Sequence, residues 1–242
     1  MPNSQKRHLK TKTVTIDYEL IRSKRRTMAI QIPPDGRVLV RAPTRMPISE
    51  IERILISKAD WVQRHQQRIQ SRPPGVDAPR QYISGETFRY LGRDITLQVE
   101  ESPRERIWLH DDRLIARLRH PSDSAHTEAI VEGWFDNEAK RCFKERFPVC
   151  VEHARAVINI PQPKHLTIRR MKSRWGSCSA RRRITLNIAL ITVAPELIDY
   201  VILHELCHLI ELNHSAAFYA LMAKVVPDWK QKRKRLRGMS VD

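Results

Sequence analysis

No stretch of this 242-residue chain stays apolar for the length of about 20 residues that a bilayer-spanning helix needs. The opening Met1-Pro2-Asn3-Ser4-Gln5-Lys6-Arg7-His8 has no apolar core behind its charges, so neither a membrane anchor nor a secretory leader is expected. Cysteine is scarce as well. Cys142, Cys150, Cys178 and Cys207 form no C-x-x-C pair, and a chain of this size can bury a core without disulfides. They read as reduced thiols of a soluble, cytoplasmic protein. Internal repeats are absent, and only the basic run near residues 230–237 is compositionally biased. Acid is in short supply: 27 Asp and Glu face 44 Lys and Arg, leaving a net charge of +17. Such a field attracts nucleic acid or nucleotides without naming a partner.

The patterns that are present read as an α+β chain: an N-terminal antiparallel β-rich region with one long helix, then a compact C-terminal domain carrying a β-hairpin and a helix with the chemistry. Residues 13–20, 28–32 and 37–40 are strand-like around the turn signal Pro33-Pro34-Asp35-Gly36, and predict a short antiparallel meander. The basic run Arg22-Ser23-Lys24-Arg25-Arg26 falls between the first two strands and reads as a solvated hairpin tip before a phosphate-binding patch. A helix is expected over 47–70, with Ile51, Ile54, Leu55 and Val62 on its packing face, and a Pro/Gly-rich linker over 71–80. Strands follow at 87–91, 95–99, 106–109 and 113–118, joined by turns at 91–94 and 110–112. After Pro121 helical spacing persists for roughly thirty-five residues, and Pro148 is expected to kink or divide that helix. Two strands, 165–171 and 183–190, then enclose residues 172–182. The expected boundary places residues 1–120 in the N-terminal region and 121–242 in the catalytic domain.

The chemistry concentrates at residues 204–208, His-Glu-Leu-Cys-His. On a helix His204 and His208 share a face at i, i+4 spacing, where two imidazoles can hold one Zn²⁺. Glu205 stands beside them, able to reach a water at the metal without being a ligand, the general-base position of the H-E-x-x-H pattern. By chance one such pattern arises in roughly a fortieth of chains of this composition, so context matters. Here the context is a helix entered at Pro195 and apolar on most sides, in which Leu197, Ile198, Val201, Ile202, Leu206 and Leu209 recur at helical spacing. Cys207 reads as a packed thiol.

Catalytic zinc usually has three protein ligands and an open position. His214 is the expected third ligand, and reaches the site only if the helix ends and the chain turns back, with Asn213 in a left-handed conformation and Ser215 capping a helix over 216–225. The spacing equals that of the metzincin pattern, but Glu211 stands where that pattern needs glycine. No glutamate follows Glu211, which excludes a thermolysin-like distant Glu ligand; Asp228 and Glu211 compete with His214, as does a site with no third protein ligand. With such a site the reaction class is hydrolysis, Glu205 taking the proton of water and returning it to the leaving group. Tyr200, Arg174 and Tyr219 are the candidates for stabilising an oxyanion.

Residues 171–179 (Met-Lys-Ser-Arg-Trp-Gly-Ser-Cys-Ser), 184–187, 199–209 and Asn213-His214-Ser215 with Phe218 resemble the YgjP-like metallopeptidase-domain family, related to the SprT-like and WLM zincins. The resemblance extends to residues 35–43 and so over nearly the whole chain. It implies a zincin-like catalytic domain with one zinc ion on His204, His208 and His214, and Glu205 as base. It also implies that the segment 174–178 and the strand 184–190 form the wall and rim of a cleft. Arg174, Trp175, Asn187 and Tyr200 are the substrate-binding candidates, and the strand, if its edge is free, can pair with an extended peptide. A peptide is therefore the first substrate class. A nucleotide phosphoanhydride is the alternative favoured by the net charge. A nucleic-acid-associated SprT-like protease or binding protein is a third reading, prompted by the basic run Lys230-Gln231-Lys232-Arg233-Lys234-Arg235-Leu236-Arg237.

Overall fold

A computed structural model of the chain describes residues 4–10, 15–33, 35–70 and 80–239. The expected linker over 71–80 lies outside the described residues except for Arg80. By internal contacts the chain divides into two units, Met1–Arg80 and Gln81–Asp242, each with its own hydrophobic core.

In the first unit, β1 (Ser4–Lys10), β2 (Thr15–Ser23), β3 (Ala29–Gln31) and β4 (Val38–Pro43) form one sheet, followed by α1 (Ile48–Ser57) and α2 (Ala59–Gln70). The sheet order is β1-β2-β4-β3, with β2 and β4 parallel, so the expected antiparallel meander is not what forms. The burial pattern gives the reason. Val38, Val40 and Ala42 of β4 are fully buried while no residue of β3 is, so the more apolar strand takes the central place and β3 the edge. Strand β1 has no clear signal in the sequence, because its text is charged and only Leu9 is buried. The helix expected over 47–70 breaks at Lys58, and Ile51, Leu55, Ala59 and Val62 complete the core with Ile16, Tyr18 and Leu20. Arg22, from the basic run, is part of β2; its Nη1 donates to the carbonyls of Pro43, Thr44 and Met46 at 3.2, 2.8 and 2.8 Å, which makes it a structural clamp.

The second unit contains the sheet β5 (Thr87–Tyr90), β6 (Arg93–Glu101), β7 (Arg106–His110) and β8 (Arg113–Leu118), in the order β5-β6-β8-β7, and the helix α3 (Ser124–Ile158). These strands share one core with α3 and with everything C-terminal to it: Phe88, Tyr90, Leu97 and Leu114 cluster with Phe135, Phe143 and Leu206. The division between units thus falls at 80/81 and not at 120/121, because the apolar faces of β5 to β8 are covered by C-terminal elements. Helix α3 begins at Asp123, whose side chain accepts from the His126 backbone N–H at 3.0 Å, and ends at Asn159 in a left-handed conformation. Pro148 lies inside it without dividing it; buried Phe143, Cys150, Val151 and Ala154 hold both sides of the proline in the core.

A small sheet follows: β9 (His165–Arg169), β10 (Gly176–Cys178) and β11 (Arg183–Asn187), in the order β10-β11-β9. A 3-10 turn over 188–192 leads into α4 (Pro195–Cys207), and α5 (Ala216–Val225) and α6 (Trp229–Arg237) close the unit. The architecture is α+β. Helix α4 is held from several directions. Arg146 of α3 grips Asp199 with two hydrogen bonds of 2.7 and 2.5 Å, and Arg235 of α6 reaches Glu196 in its first turn at 2.9 Å. The β5–β6 turn docks on its entry: Leu91 and Gly92 both have positive φ, their N–H groups donate to Ile191 and Thr192, and a Cβ at Gly92 would lie 2.8 Å from Ala194 Cα.

Gly92 is therefore required twice, by its backbone angle and by the approach of Ala194. Gly92→Ala should destabilise the second unit by about 2–3 kcal/mol in urea unfolding; an unchanged midpoint would show that the turn does not set the entry of α4.

Candidate metal centre and cleft

Helix α4 is apolar almost all round: Leu197, Ile198, Val201, Ile202, Leu206 and Cys207 are buried in the core. The remaining face carries His204 and Glu205, followed by His208 at the helix C-cap. The helix stops at Cys207, because Leu209 donates to Leu206 O, and Ile210 and Glu211 both donate to Cys207 O, which closes a turn instead of a further helical stretch. The chain then reverses into Ser215, whose hydroxyl accepts from the Phe218 N–H at 3.3 Å and starts α5. Asn213 does not adopt the expected left-handed conformation; the reversal is made by the turn at 208–210, with the Asn213 N–H held by the Glu211 carboxylate at 3.2 Å.

This reversal brings His214 to the other two histidines. One ring nitrogen of each of His204, His208 and His214 lies within 4.8 Å of the others, a spacing at which one metal ion can be held. The three ring centroids form a nearly equilateral triangle with sides of 4.9, 5.0 and 4.7 Å. Beneath them sits the fully buried ring of Phe218, 4.9, 4.4 and 4.9 Å from the three imidazoles. Ser215 sets α5, and the first turn of α5 delivers the ring that seats the histidines. His208 Nδ1 lies 2.9 Å from the Glu211 carbonyl and donates to it, which fixes the tautomer that leaves Nε2 free. Burial, and then the neighbouring His208, His214 and Arg233, depress His204 to about 3, so its imidazole is neutral and available as a donor at physiological pH.

The competing donors are elsewhere. Glu211 spends its carbonyl on His208 and its carboxylate on Asn213, and Asp228 pairs with Lys232 at 2.7 Å. Among the described residues the three histidines are the only group arranged in this way.

Glu205 is 5% exposed, and burial pushes its carboxyl up to about 8 against the opposing charge of Arg174. Its position is set by Gly176 of β10: a Cβ there would lie 2.7 Å from Glu205 Oε1 and 2.8 Å from its Cγ. Only a glycine lets the strand come this close. The Trp-Gly pair in the segment 174–178 is thus the backbone approach that packs the carboxylate. Cys178, two residues on, is raised to about 11 by burial and by Glu205, and Cys207 is raised to about 12 by burial; both are protonated, packed thiols.

A cleft of about 620 Å³ opens over the histidines and Glu205. Arg174, Trp175 and Tyr200 line it. Asn187 does not. Buried to 1% exposure, it donates to the carbonyls of Met171 and Arg174 at 2.8 Å each, while its oxygen accepts from the Met171 and Ala189 N–H groups at 3.2 Å. Its amide is fully used in pinning the 171–174 loop, and so acts on the cleft only by placing Arg174. Tyr219 stacks on Trp229 at 4.7 Å and is not among the lining residues. The cleft residues without an evident signal in the sequence are Arg233, Leu236 and Arg237 of α6, which form the far wall. The spacing of Trp229, Arg233, Leu236 and Arg237 on one helical face marks them, but it is hidden in a run that reads as uniformly basic.

Three convergent imidazoles beside a buried carboxylate in an open cleft are the equipment of a metal-dependent hydrolase. The YgjP-like metallopeptidase domain matches residues 26–239, and the chain belongs to that family, which implies a metal ion and a peptide substrate. Among solved structures, the metallopeptidase zymogen abylysin of Pyrococcus abyssi is 28% identical over 37% of this chain and 90% of its own, with a TM-score of 0.34. No curated protein matches. No described helix is long and apolar enough to cross a membrane.

Phe218→Ala should lower stability by about 3–5 kcal/mol and weaken metal binding, whereas Phe218→Leu keeps most of both. His214→Ala should reduce zinc affinity at least about tenfold in a chelator competition; Asp228→Asn should leave it unchanged, and zinc held at full affinity by His214→Ala would exclude that residue as a ligand.

Proposed function

We propose that the protein is a zinc-dependent peptidase in which His204, His208 and His214 hold the metal and Glu205 is the general base. The observation that carries this reading is the convergence of three imidazole donors on one point next to a buried carboxylate. The donor set suits zinc, with nitrogen ligands only and the solvent side open to the cleft. When bound, the ion supplies a Lewis acid that acidifies water and polarises the scissile carbonyl. The chain supplies the rest. Glu205 accepts the proton of the attacking water and passes it to the leaving nitrogen, and its apolar packing gives the carboxylate a higher proton affinity than an exposed one.

Of the two edge strands of the small sheet, β10 and β9, only β10 lines the cleft. Strand β11 is enclosed by β10 and β9, so the edge expected from the strand 184–190 belongs to β10, Gly176–Cys178, which also lines the cleft. An extended peptide adding to that edge runs past Glu205. Arg174 and Tyr200 then flank the scissile bond as candidates for stabilising the oxyanion. The phosphoanhydride and nucleic-acid readings raised by the net charge find no support in the family match. The four free cysteines support the cytoplasmic location expected from the sequence.

In cleavage of an unfolded protein by the zinc-loaded enzyme, Glu205→Gln should lower kcat/KM by about 10²–10⁴-fold with metal content unchanged. Gly176→Ala, which displaces the carboxylate without altering a ligand, should cost at least about tenfold in kcat. Cleavage by Glu205→Gln at the wild-type rate would remove the base from the mechanism.

A further inference from the structure

The cleft is electrostatically one-sided. Three arginines line it, Arg174 on the β10 side and Arg233 and Arg237 on α6, and among the described residues the only carboxylate lining it is the buried Glu205. Two members of the basic run on α6 are held in ion pairs. Lys232 pairs with Asp228 at 2.7 Å and Arg235 with Glu196 at 2.9 Å, so the helix is not a uniform cationic face of the kind that tracks a nucleic-acid backbone.

Arg233 differs from its neighbours in how it is held. Its guanidinium lies over the rings of Tyr219 and Trp229, 5.4 and 5.9 Å from their centroids, and those rings stack on each other at 4.7 Å. Tyr219 in turn stacks along His214 at 6.3 Å. This aromatic ladder fixes a planar cation beside His214. Among the described residues Arg233 pairs with no carboxylate. A guanidinium kept rigid by stacking, half-buried and facing a substrate cleft, presents its N–H groups to a planar acceptor, and carboxylates match that fork.

We propose that Arg233 of α6 forms a carboxylate subsite that selects peptides bearing an acidic side chain or a free C-terminal carboxylate near the scissile bond. The proposal rests on the peptidase reading given above. It assigns the basic helix to substrate selection within the cleft. Arg174, whose charge acts on Glu205, is left for the scissile carbonyl.

The test uses the full-length, zinc-loaded protein and peptides in matched pairs, with Glu or Gln at each position around the cleaved bond and with free or amidated C-termini. A carboxylate at one position should raise kcat/KM at least about tenfold, mainly through KM. The Glu/Gln pairs report an acidic side chain and the C-terminal pairs a terminal carboxylate, so the two sources are separated. Arg233→Gln should bring the acid-to-neutral ratio close to one, and Arg233→Glu should turn the preference toward Lys. Lys234→Gln, the same charge loss on the same helix outside the cleft, should keep the wild-type ratio. Equal cleavage of acidic and neutral members by the wild type overturns the subsite while leaving the peptidase reading intact, and needs no variant to fold. A preference that survives in Arg233→Gln also overturns it. Failure of the wild type to cut any peptide, with hydrolysis of nucleoside triphosphates in its place, overturns the peptidase reading itself.

Discussion

The second unit depends on how α4 is buried. A helix packed into the core on nearly every side has nowhere to put polar groups except the one face left open, and Glu205 and His208 are two of only four buried polar or charged residues in the described chain. Desolvation in such a place disfavours charge: it keeps His204 neutral and raises Glu205. Neutral imidazoles are metal donors and an apolar setting raises a carboxylate's affinity for a proton, so the burial that stabilises the fold also shapes the site. The bidentate Arg146–Asp199 pair, the Arg235–Glu196 pair and the close approach of Gly92 fix the helix from three separate elements. Partly exposed ion pairs of this kind add modestly to stability, and their larger effect is on register.

The rest of the site is built by short-range geometry. Ending α4 at Cys207 and turning at once lets the chain return His214 over the helix it has just left. Phe218 then gives three imidazoles a common floor. On the other side Gly176 lets β10 press directly on Glu205, while Asn187 holds the loop that carries Arg174. A pair of close approaches, one apolar and one possible only for glycine, thus places the three imidazoles and the Glu205 carboxylate independently of each other.

Much of this is legible in the chain. The i, i+4 histidines, the neighbouring glutamate, Pro195 at the helix start and Ser215 at the next one are local patterns, and local patterns survive folding. What cannot be read depends on partners distant in sequence. The parallel β2–β4 pairing comes from competition between two strands for the central position, which depends on total burial and not on the order of the strands. The strands at 87–118 belong to the C-terminal core and not to the N-terminal region, and an apolar face does not state which element will cover it. Asn187 looks like a cleft residue beside a motif, yet its amide is consumed by backbone groups many residues away. Arg233 is concealed by its neighbours, since a basic run reads as a solvated face until the aromatic rings of Tyr219 and Trp229 are placed under one member of it.

In the proposed site one metal ion is bound by the imidazoles of His204, His208 and His214 and by no other side chain. X-ray absorption spectroscopy of the protein loaded with one equivalent of zinc tests this directly. The expected first shell holds nitrogen and oxygen alone, with an imidazole signature and Zn–N distances of about 2.0–2.1 Å. A sulfur shell at about 2.3 Å, which only a nearby thiol such as Cys178 could supply, would contradict it.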